Sequence, residues 1–168
     1  LNNVIHDSRV LKEAHSIGHS GIVNKLVIAG LNEPGEPESI ELNDLEVSKV
    51  NLITRQWPKN LAVQFLKYAE LYQHIVRAYG RAPLKIIHCH DLAPLPIAVR
   101  LKQLTGARLI YDAHELQTET KDSVGLRKIF SQLAEPRLVK YVDAIITVSP
   151  SIRSWYSAHY PAVPVHLV

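Results

Sequence analysis

Two short apolar runs with one amphipathic segment between them constrain the fold of this chain most. Residues 84–87 and 107–110 have the apolar character of buried strands, and residues 94–104 repeat their apolar positions with the period of a helix. A strand, a helix and a second strand in this order form a βαβ unit, in which the two strands are parallel. The pattern therefore predicts a parallel sheet whose faces are covered by helices.

The same alternation continues along the rest of the chain. We predict helices over residues 9–17, 60–79 and 125–141, with Pro136 bending or splitting the last of them. A further helix begins after Ser149, its N-cap, with Pro150 in the first turn. Strands are predicted over residues 23–29, 46–53, 143–148 and 165–168, and residues 32–37 form a loop. The helix over residues 60–79 is expected to pack on the sheet through Leu61, Phe65, Leu66, Ala69, Tyr72, Ile75 and Val76.

These elements predict an α/β fold with a Rossmann-like, doubly wound and mostly parallel sheet. A chain of 168 residues has the length of one domain, so we assign residues 1–168 to a single domain. Residues 1–6 have the composition of the loop after an opening strand, and we expect that strand to lie outside this sequence. The chain also contains no methionine.

Composition excludes several classes of protein. No apolar run approaches the roughly 18 residues of a membrane span, and no signal peptide is recognisable. The single cysteine, Cys89, cannot form a disulfide within the chain, which favours a cytoplasmic location. A net charge of +3 without a basic stripe argues against nucleic acid as a partner. Basic residues do gather late in the chain, where they form either a solvated helix face or a surface for anionic lipid: Lys121, Arg127, Lys128, Arg137 and Lys140.

Two polar clusters follow the strands of the predicted βαβ unit. The first reads HCHD over residues 88–91, and the second reads YDAHE over residues 111–115. Because the carboxyl ends of parallel strands meet at one edge of a sheet, we expect both clusters at the edge where open α/β sheets bind ligands.

The first cluster has several interpretations. His88 and His90 are two residues apart, so in a strand both project from the same face and, with Asp91, could ligate the metal of a hydrolase. Asp91 could instead be only the N-cap of the next helix. A serine hydrolase lacks support because no G-x-S-x-G motif is present, and the missing G-x-G-x-x-G motif argues against a nicotinamide or flavin cofactor.

Four segments together resemble the amino-terminal domain of family 4 glycosyltransferases. Residues 7–14 read DSRVLKEA, residues 86–96 read IIHCHDLAPLP, residues 104–116 read LTGARLIYDAHEL and residues 141–149 read YVDAIITVS. The resemblance covers nearly the whole chain. It implies the GT-B architecture, in which two Rossmann-like domains face each other and the second domain, absent from this sequence, binds the nucleotide-sugar through a paired-glutamate motif.

The resemblance also implies an activity. The whole protein would move a sugar, with retention of anomeric configuration, from a nucleotide-sugar donor to a saccharide or lipid-linked acceptor in surface polysaccharide biosynthesis. No cofactor and no obligatory metal are implied, and this domain alone would be inactive. The implied location is the cytoplasm, with peripheral contact at the inner face of the membrane. A non-catalytic module that binds a sugar or nucleotide is a further alternative.

Individual site residues follow by position from the resemblance. His114 corresponds to the family's histidine at the end of the strand that faces the acceptor and the donor sugar, and His90 and Asp91 correspond to the neighbouring acceptor loop. The catalytic candidates are His114 and Asp91, because a carboxylate there could orient the histidine or accept a hydroxyl proton. Asn2 and Asn3 fall where many relatives have a glycine-rich loop near the donor phosphates, a pattern from which this chain departs. Glu115 is implied to bind substrate or brace the second cluster.

Overall fold

An amphipathic helix and a small mixed sheet open the chain. In the computed structural model, which describes residues 8–32, 39–42, 45–58, 60–113 and 126–168, helix α1 spans Ser8–His19. The sheet contains β1 (Val27–Leu31), β2 (Ser39–Leu42) and β3 (Leu45–Val50), in the order β1-β3-β2. Strands β1 and β3 are parallel, whereas β2 is antiparallel to β3. Ala14, Ile28 and Val47 form the buried cluster between α1 and this sheet.

Three differences from the sequence prediction occur in this part of the chain. Strand β1 starts four residues later than predicted, because its pairing with β3 begins only at Val27 opposite Glu46. The antiparallel strand β2 was not predicted. The predicted strand over residues 46–53 ends at Val50, and a 3₁₀ turn, Ile53–Gln56, follows it.

Helix α2, Leu61–Tyr79, has the predicted length but not the predicted buried face. It buries Leu71 and Ile75, whereas Leu61, Phe65 and Leu66 are 62%, 62% and 51% exposed. Ala69 is exposed as well. The expectation that these four side chains pack on the sheet is therefore wrong, because apolar periodicity marks an apolar face without saying whether another element covers it.

The second half of the chain contains the predicted parallel sheet. Its elements are β4 (Ile86–His90), α3 (Leu95–Thr105), β5 (Arg108–Asp112), α4 (Leu126–Val139), β6 (Ala144–Thr147), α5 (Pro150–His159) and β7 (Val165–Leu167). All neighbouring strands pair in parallel, in the order β4-β5-β6-β7. Helix α4 continues through Pro136, so the proline does not split it.

The core of this sheet consists mainly of side chains from its central strands and covering helices. Leu95, Leu109 and Ile145 are fully inaccessible to solvent. Helix α3 ends at Gly106, which has φ 74° and donates its backbone N–H to the carbonyl of Lys102. Such a left-handed residue stops a helix sharply and lets the chain turn back into the sheet. The α/β Rossmann-like class predicted from the sequence is thus confirmed.

The chain consists of two compact units, Leu1–Arg77 and Ala78–Val168, and each is described by itself. Among the described helices, none combines the length and the apolar character needed to cross a bilayer.

Candidate functional site

Strand β4 carries two histidines on one face. His88 and His90 are alternate residues of the strand, and their rings stack with centroids 4.4 Å apart and an interplanar angle of 25°. Cys89, between them, projects to the opposite face and joins the hydrophobic core. The sequence prediction ended this strand at Ile87, but the strand extends through His90, so the histidines lie within the sheet and not beyond it.

His90 is bound to a carboxylate on the neighbouring strand. In the parallel register of β4 and β5, His90 lies opposite Asp112. His90 donates its Nδ1–H to Oδ2 of Asp112 over 2.9 Å, and the side chains are 20% and 2% exposed. With Nδ1 protonated, Nε2 is the basic nitrogen of the ring, which can accept a hydrogen bond or a proton from a hydroxyl group.

His88 is held in its neutral form. Burial, assisted by the neighbouring His90 and opposed by Asp112, lowers the pKa of His88 from 6.5 to about 4. The ring therefore carries no charge at neutral pH, and a neutral imidazole has one nitrogen that can donate a hydrogen bond and one that can accept. His88 thus adds a polar group to the strand edge without adding positive charge.

Asp91 follows β4 directly and has an uncommon backbone conformation. Its φ is 71°, in the left-handed region, and its backbone N–H donates to the carbonyl of Asp112. Asp and Asn enter this region more readily than most residues. Helix α3 begins only at Leu95 with Pro94 at its N-cap, so the interpretation of Asp91 as the N-cap of this helix is wrong.

A second polar edge lies in the first unit. Asn32 follows β1 and Asn51 follows β3, two parallel strands, and Nδ2 of Asn32 donates to Oδ1 of Asn51 over 2.7 Å. Both residues line an open cleft of about 220 Å³ with Leu52, Ile53, Arg55 and Gln56. This cleft was not predicted from the sequence, although an asparagine near the end of each of the two strands was the available signal.

The structure places only part of the predicted site. His90 and Asp91 lie together at the carboxyl end of β4, beside Asp112 at the end of β5. The other predicted site residues, Asn2, Asn3, His114 and Glu115, lie outside the described residues. Ser149 is the N-cap of α5 and Pro150 its first residue, as predicted, although Oγ of Ser149 pairs with Oγ of Ser151 and not with the helix backbone.

The same strand edge has the composition of a metal site. One ligand atom from each of His88, His90 and Asp112 lies within 4.8 Å of the others. Two imidazoles and a carboxylate are ligands that Zn²⁺ and Fe²⁺ accept. Cys89 is unsuited to join them, because burial raises the pKa of its thiol and keeps it protonated.

Comparison with known families identifies the chain. Residues 9–168 match the model of the glycosyl transferase 4-like domain. The chain belongs to this family. The glycosyltransferase class, expected from the four sequence segments, is therefore confirmed for this glycosyl transferase 4-like domain. The match includes β4, β5 and the His90–Asp112 pair at their ends.

Solved structures confirm the fold of this domain. One structure of sucrose-phosphate synthase from Thermosynechococcus elongatus matches with a TM-score of 0.73 and 14% identity, over 95% of this chain and 41% of that one. A second, shorter structure of the same enzyme matches with a TM-score of 0.67 and 12% identity, over 94% of this chain and 80% of that one. These matches agree with the predicted Rossmann-like fold, and the chain spans less than half of the longer structure. A search of curated protein sequences finds no significant match.

Proposed function

We propose that this domain is the acceptor side of a retaining glycosyltransferase that moves a sugar from a nucleotide-sugar to a saccharide or lipid-linked acceptor. Membership of the glycosyl transferase 4-like family supports the reaction class. The observation that carries the site assignment is the His90–Asp112 pair, a hydrogen-bonded imidazole and carboxylate at the carboxyl edge of a parallel sheet. A second domain of the same protein supplies the donor site.

The chemistry proposed for this pair concerns the acceptor. Asp112 holds the His90 ring in one tautomer, and Nε2 accepts the hydrogen of an acceptor hydroxyl group. This contact orients the hydroxyl oxygen towards the sugar carbon that it attacks, and orientation alone can supply much of a rate enhancement. Asp91 lies next in the chain and is the second group that can receive the hydroxyl proton.

The remaining predicted site residues enter the proposal by resemblance. His114 is proposed to contact the acceptor and the donor sugar, as a catalytic residue together with Asp91. Glu115 is proposed to bind substrate, and Asn2 and Asn3 to line the approach of the donor phosphates.

The test is sugar-nucleotide turnover by the purified protein that carries this domain. We expect His90→Ala, Asp91→Ala and His114→Ala each to lower the transfer rate at least tenfold, while His74→Ala, which removes an exposed histidine of α2, leaves it unchanged. Product NMR should show the anomeric configuration of the donor. Unchanged transfer in all three site variants would refute the site, and an inverted product would refute the retaining mechanism.

The proposed role is the synthesis of surface polysaccharide at the inner face of the membrane. We expect disruption of the gene to abolish a surface polymer, the wild-type gene to restore it, and the His90→Ala gene to fail. A polymer of unchanged composition in the disrupted strain would contradict this role.

A metal-dependent hydrolase is the second candidate, because His88, His90 and Asp112 form a compact ligand set. This candidate predicts about one metal ion per purified chain and hydrolysis that stops when the metal is chelated. Transfer that persists in a metal-free preparation would exclude it. A non-catalytic binding module, the third possibility, predicts saturable nucleotide-sugar binding without turnover in the whole protein.

A further inference from the structure

Three side chains that can bind a metal ion lie on one face of the parallel sheet. His88 and His90 are alternate residues of β4, so both project from the same face of the strand. In the parallel register, His90 lies opposite Asp112 of β5. One ligand atom from each of these three residues lies within 4.8 Å of the others. The sheet register thus brings two imidazoles and a carboxylate together without the help of a loop.

The closest two of these groups share a hydrogen that a metal ion can replace. Nδ1 of His90 and Oδ2 of Asp112 are 2.9 Å apart. Zinc holds nitrogen and oxygen ligands at about 2.0–2.2 Å in tetrahedral geometry, which separates two ligand atoms by about 3.3–3.5 Å. The pair therefore has to open by roughly half an ångström to admit the ion, a shift within ordinary side-chain motion.

The ligand atoms favour a transition metal over the alkaline-earth ions. Imidazole nitrogen suits Zn²⁺, whereas Mg²⁺ and Ca²⁺ bind mainly through oxygen. Three protein ligands leave the fourth tetrahedral position open to water. The side chain of His90 is 20% exposed, which gives an ion access from solvent, and the 2% exposed Asp112 supplies the negative charge. The site therefore has the composition and the accessibility of a reversible zinc site.

We propose that His88, His90 and Asp112 bind Zn²⁺ reversibly and that the bound ion inhibits sugar transfer by reversing the tautomer of His90. Without zinc, the ring hydrogen is on Nδ1 and Nε2 is the basic nitrogen. When zinc binds Nδ1, the ring keeps one hydrogen, which moves through solvent from Nδ1 to Nε2. Nε2 then donates a hydrogen bond and no longer accepts the hydrogen of an acceptor hydroxyl. The inhibition rests on the proposed function of His90, whereas zinc binding does not.

The inhibitory ion differs from the metal of the hydrolase candidate in its effect on activity. A catalytic zinc ion activates water, so chelation stops the reaction. An inhibitory ion occupies the nitrogen that fixes the tautomer of His90, so chelation restores the reaction. The two possibilities therefore predict opposite effects of zinc on turnover.

Zinc binding is measured by isothermal titration calorimetry on the purified protein that carries this domain, after its metal has been removed. The affinity for Zn²⁺ should be unchanged in excess Mg²⁺. His88→Ala should bind zinc at least about a hundredfold more weakly, since loss of even an outer-shell partner of a zinc ligand costs roughly 10–100-fold. The matched control is His74→Ala, which removes an exposed histidine of α2 and should bind like the wild type. Circular dichroism checks that each variant is folded.

A pair of histidines on α1 provides the competing site. His15 and His19 are four residues apart, with ring centroids separated by 6.0 Å. Histidines with this spacing on a helix bind zinc in metalloproteases. The double variant His15→Ala with His19→Ala should keep the zinc affinity of the wild type. Zinc binding that this variant loses and His88→Ala keeps would overturn the proposal.

Nitrogen-15 NMR of labelled histidine measures the tautomer. Zinc should move the hydrogen of His90 from Nδ1 to Nε2, and EDTA should reverse the change. The signals of His90 are identified by their loss in His90→Ala. An unchanged His90 tautomer at saturating zinc would overturn the proposal whether or not transfer is detected.

Sugar transfer by the same protein tests the inhibition. Saturating zinc should lower the rate constant for transfer about tenfold or more, within the range for loss of a general base, and EDTA should restore it. In His88→Ala, the same fractional inhibition should require about a hundredfold more zinc. Transfer that zinc stimulates or leaves unchanged would overturn the proposal. A protein without any transfer activity would refute the proposed function instead, and calorimetry and NMR would still decide the zinc site.

Discussion

Asp112 lies opposite His90 on the neighbouring parallel strand and accepts a hydrogen bond from its Nδ1. The two residues come from strands joined by a helix, so their distance is fixed by the sheet register and not by a loop. A 2% exposed carboxylate cannot exchange this partner for water without cost. The pair is therefore a rigid element at the strand edge.

Asp112→Asn should change the tautomer of His90 while preserving the shape of the site. Because the amide can turn its N–H towards Nδ1, the preference for a hydrogen on Nδ1 should be lost. Nitrogen-15 NMR of labelled histidine measures the tautomer directly. We also expect the rate constant for transfer to fall about 10²-fold, within the range for a misplaced general base, with little change in KM.

Asp112→Glu, which retains the charge, should recover part of the NMR signature. A wild-type spectrum in Asp112→Asn would show that the carboxylate does not control the ring.

His88 should make the stability of the chain depend on pH. Its pKa is about 4 in the folded protein against 6.5 ordinarily, so the unfolded chain binds the proton more tightly between these values. The neutral His88 ring therefore makes a contribution to folding stability that is fully present above pH 6.5 and is lost as pH falls towards 4. In urea unfolding from pH 4 to 7.5, the free energy of unfolding should fall less at acid pH for His88→Gln than for the wild type. Parallel pH profiles of the two proteins would contradict the lowered pKa.

Glu135 should give the stability of the chain a pH dependence of the opposite sign. It is 1% exposed and accepts hydrogen bonds from the hydroxyls of Tyr156 over 2.5 Å and Tyr111 over 3.4 Å. Burial raises its pKa above 4.5, although the two hydroxyls oppose this shift. The folded state then binds the proton more tightly, so its stability falls as pH rises from 4.5 through the raised pKa.

Two variants separate the charge of Glu135 from its hydrogen bonds. Glu135→Gln removes the charge and should flatten that pH dependence. Glu135→Leu should cost about 1–3 kcal/mol more than Glu135→Gln at neutral pH, because the Tyr156 hydroxyl loses its buried acceptor. Equal unfolding free energies for the two variants would show that the tyrosine bonds contribute nothing.

Glu70→Ala should release the 3₁₀ turn. The variant removes the acceptor for two backbone amides and the Thr54 hydroxyl, with an expected loss of about 1–2 kcal/mol in unfolding free energy. Hydrogen exchange should accelerate at the amides of Ile53 and Thr54 and remain unchanged in β4. Glu70→Gln should give an intermediate result, because its amide oxygen can still accept. Unchanged protection of both amides in Glu70→Ala would contradict the anchoring role.

Apolar periodicity predicted most helices and the parallel sheet, but it placed the strand ends incorrectly. Strand β4 was predicted to end at Ile87 and β5 at Ile110, whereas they continue to His90 and Asp112. These last residues are polar and remain in the sheet because they pair with each other across it. A pattern that counts apolar residues in one segment carries no information about a partner 22 positions away.

The buried face of α2 was predicted wrongly for the same reason. Phe65 and Leu66 have the spacing of core residues, and hydropathy alone does not show whether a neighbour covers them. For the site, the sequence predicted that His90 and Asp91 lie close to the cluster over residues 111–115. It did not indicate a specific role for Asp112 within that cluster. The Asn32–Asn51 cleft depends on the register of β1 and β3, which the sequence did not specify.

The position of Cys89 has a practical consequence. It is the single cysteine of the chain, it is 4% exposed, and burial raises the pKa of its thiol. Alkylating reagents require an accessible thiolate, so the native chain should resist maleimide under folding conditions. A cysteine engineered on the surface would then be the one labelled position, and spin labels or fluorophores could be attached there without altering the native thiol.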